Sequence, residues 1–207
     1  MSFVITTPLY YVNDKPHLGS IYTTLICDSI ARFKRLSGED VLFITGVDEH
    51  GLKIQRTASN NGVDPQSHCD EISSIFIQNW KAWDISHNKF IRTSSHKHES
   101  IVSEFYKRVK QSDDVYMGVQ KGWYCVGCEE FKDNPNNSPT HKCPIHQKNL
   151  EWKNEENLFF KLSKYQSQIE DLVNNPSFIE PKERRNEIIN FVKRGLKDFS
   201  ISRTNVS

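Results

Sequence analysis

The sequence predicts an α/β fold with a parallel sheet, followed by an insertion that holds a metal ion. Two observations predict the sheet. Residues 3–115 alternate short β-branched runs with amphipathic helical segments, and the run at 41–45 is continuously apolar, as in strands covered on both faces. A third observation predicts the metal site, because Cys and His residues form two equally spaced pairs between positions 125 and 146.

The composition is that of a globular chain with room for one large or two small domains, since its 207 residues are 36% hydrophobic and 26% charged. Because 27 Lys and Arg residues balance 26 Asp and Glu residues, the formal net charge is +1, which excludes a polybasic chain. No apolar run approaches the ~20 residues needed to cross a bilayer, and the amino terminus lacks the basic region of a signal peptide. We therefore expect a cytoplasmic protein with no membrane partner.

The first βαβ unit is predicted from three consecutive segments. Residues 3–12 are β-branched and aromatic and end in turn-forming residues, which indicates a buried strand that leaves into a loop. A helix is predicted over 18–36, where one apolar stripe repeats every three or four positions; its members are Leu18, Tyr22, Ile26, Ile30 and Phe33. The apolar run at 41–45 completes the unit as a second strand.

The rest of the chain divides by composition into three parts. Helical periodicity predicts further helices, and one short strand lies between the first two of them; the helices are expected at 65–81, 97–111, 161–174 and 182–196, and the strand at 89–93. Residues 115–160 change in character to Gly, Cys, Pro, Asn and aromatic residues, with turn and loop material at 133–139, as in an insertion. We therefore expect an α/β domain at 1–114, an insertion at 115–160 and a helical return at 161–207.

Two Cys/His pairs, each with two intervening residues, predict a tetrahedral zinc site of Cys125, Cys128, Cys143 and His146. The spacing lets both side chains of a pair leave one tight turn towards the same centre. A redox CxxC motif is the alternative, but such a motif does not require the second pair. His141 could compete with His146, although it breaks the common spacing. With four protein ligands and no open position, the zinc ion should be structural.

A candidate anion site lies at the start of the first helix. Residues 16–20 read Pro-His-Leu-Gly-Ser where the loop after the first strand meets the helix. Free backbone N–H groups and the positive end of the helix dipole attract phosphate there, while Gly19 permits close approach and His17 can donate to a phosphate oxygen. An ordinary helix start explains the same residues, so this pattern alone does not decide between the two.

Residues 46–51 place two carboxylates and an imidazole at the carboxyl end of the second strand, where α/β sheets bind their ligands. The two glycines imitate a Walker loop, but Leu52 stands where that motif needs Lys, so no P-loop is present. The sequence also lacks a GxGxxG fingerprint, which removes the main support for a nicotinamide-linked oxidoreductase.

Taken in order, TPLYYVN at 7–13, PHLG at 16–19, FITGVDEHG at 43–51 and the later Cys/His pairs closely resemble methionyl-tRNA synthetases, a family of class I aminoacyl-tRNA synthetases. The resemblance covers essentially the whole chain. It implies the first half of a Rossmann-like class I catalytic domain with a zinc-bearing connective insertion. It also implies an amino-terminal fragment, because the family's second half, KMSKS loop and anticodon-binding domain have no counterpart here.

The resemblance implies a methionine-tRNA ligase activity. In that reaction methionine is activated by ATP to methionyl-adenylate, with Mg²⁺ as the counter-ion of ATP, and the methionyl group is then transferred to tRNA(Met). By match to the family motif, His17 and Gly19 would hold ATP. The chain alone is expected to be inactive, since the opposite wall of the ATP site would come from the absent half.

The methionine pocket implied by the resemblance consists of Leu9, Tyr11 and Asp48, and Asp48 would pair with the methionine ammonium. Ser20 stands where the family's signature usually carries a second histidine. A serine can donate one hydrogen bond but cannot supply positive charge, so we expect a weaker catalytic contribution from this position. Arg203 would assist activation.

Two other functions remain open at this point. The Cys/His pairs could form a zinc-ribbon module that recruits nucleic acid or protein, with the α/β part as its scaffold. The positions of His17 and Asp48 at strand-to-helix transitions favour a nucleotide site instead. Another class I synthetase with an aliphatic substrate is the third possibility, because an apolar pocket separates neighbouring side chains by only ~1–3 kcal/mol per methylene.

Overall fold

The structure is a computed structural model that describes residues 2–132 and 142–202. These residues form two compact units. The first contains residues 2–103 together with Val126–Glu129, and the second contains the remainder. This division differs from the expected boundaries at 114 and 160, because it falls near residue 103 and joins the insertion to the helical return.

The first unit is built on a parallel sheet of four short strands: β1 (Ser2–Thr6), β2 (Tyr10–Tyr11), β3 (Asp40–Asp48) and β4 (Lys89–Arg92). Strand β3 pairs with β1 and β2 along one edge and with β4 along the other, since Ile44 is paired with both Thr6 and Lys89. The strand expected at 3–12 is therefore interrupted. Pro8 lies at the interruption and has no N–H to donate to the ladder.

Three helices accompany the strands, α1 (Leu18–Leu36), α2 (Leu52–Asn60) and α3 (Pro65–Ala82), and a fourth, α4 (His96–Gln111), begins in this unit and ends in the second. The predictions of α1, α3 and α4 are confirmed to within one residue at each end. Helix α2 was not predicted, because it is short and only Ile54 and Ala58 are buried along it. The core of the unit collects apolar residues of β3, α2 and α3, among which Phe43 and Trp80 are fully buried.

Helix α1 faces the opposite way from what its pattern suggests. Its apolar stripe lies in solvent, with Leu18 82% exposed and Phe33 64% exposed, and Tyr22, Ile26 and Ile30 are exposed as well. The buried residues are small or polar, namely Ser20, Thr24, Asp28 and Ala31. Their polar atoms are hydrogen-bonded, Ser20 Oγ to the backbone of the N-cap residue, Thr24 Oγ1 to the Tyr10 hydroxyl and Asp28 Oδ1 to Ser86 N–H, so this face can pack inside. We call the exposed set Leu18, Tyr22, Ile26, Ile30 and Phe33 the α1 ridge.

The second unit contains an antiparallel sheet of β5 (Val115–Cys125), β6 (Glu130–Lys132), β7 (Glu151–Phe160) and β8 (Phe199–Ser200), in the order β6-β5-β7-β8. The long β5 and β7 ladder was not predicted within the insertion, and the predicted turn at 133–139 lies outside the described residues. A hydrophobicity pattern does not detect these strands, because the inward-facing positions of β7 include the polar residues Glu155 and Asn157.

The helical return is part of the same unit. A 3₁₀ turn (Leu162–Tyr165), α5 (Gln166–Asn174) and α6 (Lys182–Lys193) enclose a small core around Val173, Val192 and Leu196. Strand β8 then pairs with β7, and Leu158 N–H donates a hydrogen bond to Ser202 Oγ at 2.8 Å. This pairing explains why the insertion and the return are not separate. Among the described residues, no helix is long and apolar enough to span a membrane.

Candidate functional site

His17 is the N-cap residue of α1. Its backbone is extended, and its Nδ1 atom accepts a hydrogen bond from Gly19 N–H at 3.0 Å. Ser20 completes a capping box, because its Oγ atom accepts from His17 N–H at 3.0 Å and donates to His17 O at 2.7 Å. The hydroxyl of Ser20 is thus engaged at the helix start and is buried there.

The cap determines which nitrogen of His17 carries a proton. Since Nδ1 accepts a hydrogen bond, the neutral ring is protonated on Nε2 and presents an N–H donor away from the helix. Gly19 makes this ring position possible, because a Cβ atom on Gly19 would lie 2.9 Å from Cε1 of His17. His17 and Gly19, which the sequence analysis paired, therefore depend on each other: Gly19 donates the hydrogen bond to the His17 ring and leaves room for it.

A cavity of about 320 Å³ lies where β2 ends and α1 begins. It brings together four of the residues expected at the site, and its lining includes Leu9, Tyr11, His17 and Ser20. Two lysines that the sequence reading did not select, Lys15 and Lys53, also line it. The two lysines outnumber the one acidic residue of the lining, Asp14, and with the helix amino terminus they favour an anionic ligand.

The floor of this cavity is aromatic. Tyr10 stacks on Phe76 with ring centroids 5.7 Å apart and meets Trp80 edge-on at 5.9 Å. Its hydroxyl lies 2.8 Å from Thr24 Oγ1 and 3.1 Å from Ser20 O, so Tyr10 also holds α1 in place. Burial raises the pKa of the Tyr10 phenol, which keeps the hydroxyl a neutral hydrogen-bonding group.

Asp48 is the last residue of β3 and pairs with Tyr11 in the parallel ladder. Its Oδ1 atom accepts a hydrogen bond from His50 N–H at 3.3 Å. The carboxylate lines a different cavity, of about 600 Å³, together with Thr93 and His98. The structure therefore places Asp48 beside the other pocket residues in the ladder, while the cavity it lines is not the one that contains Leu9 and Tyr11.

Glu129 is a site residue that sequence reasoning missed. It belongs to the first unit, and its Oε1 atom accepts a hydrogen bond from Lys53 N–H at 3.2 Å. Helix α2 has Gly51 at its N-cap and no side-chain cap of its own, so Glu129 supplies the acceptor. Burial raises the pKa of the Tyr11 phenol, and the carboxylates of Glu129 and Asp48 raise it further. No local pattern reveals this contact, because 76 residues separate the two partners.

Glu49 is the second carboxylate of the 46–51 segment, and the sequence analysis assigned it no role of its own. It follows Asp48 directly, and its side chain is fully buried against Arg92, whose Nε atom donates to Oε1 at 2.8 Å. A signal for this pair was available, because Glu49 follows the predicted strand 41–45 and Arg92 lies near the end of the predicted strand 89–93. Carboxyl ends of neighbouring parallel strands meet at one edge of a sheet, so the two charges could have been paired from the sequence.

The four expected metal ligands lie together. The donor atoms of Cys125, Cys128, Cys143 and His146 are all within 4.8 Å of one another, and His146 Nδ1 lies 3.8 Å and 3.7 Å from the sulfur atoms of Cys125 and Cys143. A tetrahedral zinc ion with bonds of ~2.0–2.3 Å needs ligand atoms roughly 3.5–3.8 Å apart. Hydrogen bonding from His146 N–H lowers the pKa of the Cys143 thiol to about 6, which favours the thiolate that binds metal. The residues fit zinc.

Two residues named in the sequence analysis, His141 and Arg203, lie outside the described residues. The structure therefore leaves the competition between His141 and His146 as a prediction.

The chain combines a parallel βαβ unit, whose first crossover helix is capped by His17, with a Cys/His cluster, and a class I aminoacyl-tRNA synthetase is expected to have both features. The sequence pattern of the family described as tRNA synthetases class I (M) matches residues 3–147 and 132–206. The chain belongs to this family, the methionyl branch of the class I synthetases.

Comparison with individual relatives supports the same family. The chain is 54% identical to a methionine–tRNA ligase of Nostoc sp. and 53% identical to one of Synechocystis sp., each over 207 residues and 99% of the chain. It spans 39% of the length of each of these relatives. A solved structure of Mycobacterium tuberculosis methionyl-tRNA synthetase in complex with methionyl-adenylate superposes with a TM-score of 0.92 at 37% identity, covering 99% of this chain and 41% of that one.

Proposed function

We propose that this chain supplies the amino-terminal part of the catalytic site of a methionine–tRNA ligase, an enzyme of protein translation. The observation that carries the proposal is the 320 Å³ cavity at the amino end of α1, where Leu9, Tyr11, His17 and Ser20 meet. Support comes from relatives that are methionine–tRNA ligases and from the related structure that contains methionyl-adenylate. Because the chain spans 39% of the length of its relatives, the activity is proposed for the complete protein that carries it.

In the proposed reaction a carboxylate oxygen of methionine attacks the α-phosphorus of ATP, and pyrophosphate leaves. The products are methionyl-adenylate and pyrophosphate, and the adenylate then transfers its methionyl group to the terminal ribose of tRNA(Met), releasing AMP. No residue of the chain needs to form a covalent bond in either step. Catalysis consists of holding the two substrates and stabilising charge on phosphorus.

His17 and Gly19 are proposed to bind ATP. The Nε2–H group of His17 would donate to a phosphate oxygen, while the amino end of α1 contributes its positive dipole. Mg²⁺ would accompany ATP and offset the charge of the phosphates. Ser20 would act through the cap, because its hydroxyl already bonds both backbone groups of His17.

Leu9, Tyr11 and Asp48 are proposed to bind methionine. Leu9 and Tyr11 are both partly exposed at the cavity and offer apolar contact to the side chain of the substrate. Asp48 is the ladder partner of Tyr11, and its carboxylate would pair with the ammonium group. A charge-assisted hydrogen bond of this kind contributes about 1.5–3 kcal/mol.

A structural zinc ion is proposed at Cys125, Cys128, Cys143 and His146. The ion would tie the turn after β5 to the turn at 143–146 and would supply no step of the reaction. Arg203 is proposed to assist activation. We place the complete enzyme in the cytoplasm, with methionine, ATP and tRNA(Met) as partners. The 207-residue chain alone should not charge tRNA, since half of a doubly wound nucleotide site cannot enclose ATP.

The Asp48→Asn variant of the complete protein tests the methionine pocket. We expect methionine-dependent pyrophosphate exchange to show a KM for methionine raised about 10- to 100-fold, with a much smaller change in the KM for ATP. Asp40→Asn is the matched control, because Asp40 is exposed at the other end of the same strand. A response to methionine that is equal in both variants would exclude Asp48 from the pocket.

A further inference from the structure

Glu49 is a buried carboxylate whose hydrogen bonds are all directed to the protein. Its Oε1 atom accepts from Arg92 Nε at 2.8 Å and from Ser73 Oγ at 2.5 Å, and its Oε2 atom accepts from Ser94 Oγ at 2.6 Å and from Ser94 N–H at 3.3 Å. The side chain has no exposed surface. A charge in such a place is tolerated only when it is fully paired, so this network fixes Glu49 in one orientation.

The donors come from different parts of the fold. Ser73 lies in α3, Arg92 ends β4, and Ser94 follows β4 on the way to α4. The backbone of Glu49 is held as well, because its N–H group donates to Thr93 Oγ1 at 2.8 Å. One residue therefore joins the end of β3 to a helix and to the neighbouring strand.

Asp48 is the residue that this anchoring affects most directly. Consecutive side chains in extended backbone point to opposite sides, so an inward Glu49 directs Asp48 to the other side of the backbone. The hydrogen bond of Asp48 with His50 N–H lies within its own turn. The backbone at Glu49 therefore sets the position of the Asp48 carboxylate.

We propose that Glu49, held by Arg92, Ser73 and Ser94, is a positioning residue that fixes the Asp48 carboxylate where it meets the substrate ammonium. The inference rests on the proposed function. Glu49 itself does not touch the substrate. Through Asp48 it affects the binding of the methionine amino group and leaves the binding of ATP unchanged. Loss of its charge leaves Arg92 with the exposed Asp70 as its remaining ion-pair partner and loosens the turn that carries Asp48.

The test compares variants of the complete protein in pyrophosphate exchange. Glu49→Gln keeps the shape of the side chain and removes its charge. Glu39→Gln is the matched control, because it makes the same change in an ion pair with Lys34 that is 31% exposed on both sides. Each variant is also titrated with 4-(methylthio)butanoate, a methionine analogue that keeps the thioether and the carboxylate and lacks the ammonium group.

We expect Glu49→Gln to raise the KM for methionine about tenfold, to change the KM for ATP by less than about twofold, and to leave inhibition by the analogue within about twofold of the parent protein. Equal losses for methionine and the analogue would overturn the proposal, since they would mean that Glu49 only supports the general shape of the pocket. An unchanged KM for methionine would overturn it too.

Ser94→Ala keeps the test decisive if Glu49→Gln does not fold. It removes one donor to Glu49 and should give the same selective pattern at about two- to fivefold; the absence of that pattern in a folded Ser94→Ala protein counts against the proposal. Asp48→Asn, measured alongside, separates the two levels of argument. If Asp48→Asn leaves methionine binding intact, the proposed pocket fails. If Asp48→Asn weakens it while Glu49→Gln does not, only the positioning role fails.

Discussion

Replacing Ser20 with alanine should loosen the start of α1 measurably. The substitution removes the acceptor of His17 N–H, now 3.0 Å away, and the donor to His17 O, now 2.7 Å away. Loss of a helix cap costs about 0.5–2 kcal/mol, and a partly buried N–H left without an acceptor costs about 1–3 kcal/mol. We expect a destabilisation of about 1–2 kcal/mol, which lowers the melting temperature of a chain of this size by roughly 2–8 °C.

Ser29→Ala is the control for this prediction. Ser29 lies on the same helix, is exposed, and donates to Leu25 O at 2.8 Å one turn back. Both substitutions gain the same helix propensity, so the difference between them isolates the cap. The assay is thermal and urea unfolding of the 207-residue chain, followed by circular dichroism. Equal stabilities of the Ser20→Ala and Ser29→Ala proteins, within about 0.3 kcal/mol, would refute the assignment of Ser20 to the cap.

Three further predictions concern the metal, the charge on α1 and its exposed face. Elemental analysis of the purified chain should find one zinc ion, and the Cys143→Ser variant should lack it. Cys27→Ser is the control, because Cys27 is a half-buried cysteine outside the cluster and its replacement should leave the zinc in place. Equal zinc content in both variants would contradict the site. Burial alone would raise the pKa of Asp28, but hydrogen bonds from Ser86 and Arg32 lower it. The ionised Asp28 therefore stabilises the fold fully above the unfolded pKa of about 3.9, and this stabilisation is lost as the pH falls through the lower folded pKa. The stability difference between the parent chain and Asp28→Asn should therefore shrink below about pH 4 in urea titrations, and a difference that grows on acidification would be inconsistent with the network. Phe33→Ala should change the free energy of unfolding by less than about 0.5 kcal/mol, whereas Phe43→Ala should cost about 3–5 kcal/mol, and similar costs would place Phe33 in the core.

The sequence predicted the elements that depend on local signals. Helices α1, α3 and α4 follow from periodicity, and the Cys/His cluster follows from two short spacings, each of which fits a tight turn. Strand β7 was not predicted, because its buried positions include the polar residues Glu155 and Asn157. A hydrophobicity pattern cannot identify a strand whose inner face carries charged and amide groups.

The parts of the site that were missed depend on contacts between distant residues. Glu129 reaches Lys53 across 76 positions, and no spacing rule anticipates a helix that is capped from so far away. The apolar stripe of α1 does not show which side of the helix is buried, for a related reason. Periodicity shows that a helix has an apolar side, but which side meets the sheet depends on partners such as Tyr10 for Thr24 and Ser86 for Asp28.

The α1 ridge has a consequence for the order of events during synthesis on the ribosome. All strands and helices that bury the polar side of α1 lie within the first 103 residues, so that side can dock before the rest of the chain has left the exit tunnel. Leucine, isoleucine and phenylalanine on the ridge take no part in that step. Their side chains stay exposed after that side has docked, and exposed apolar surface of this kind favours association with other chains.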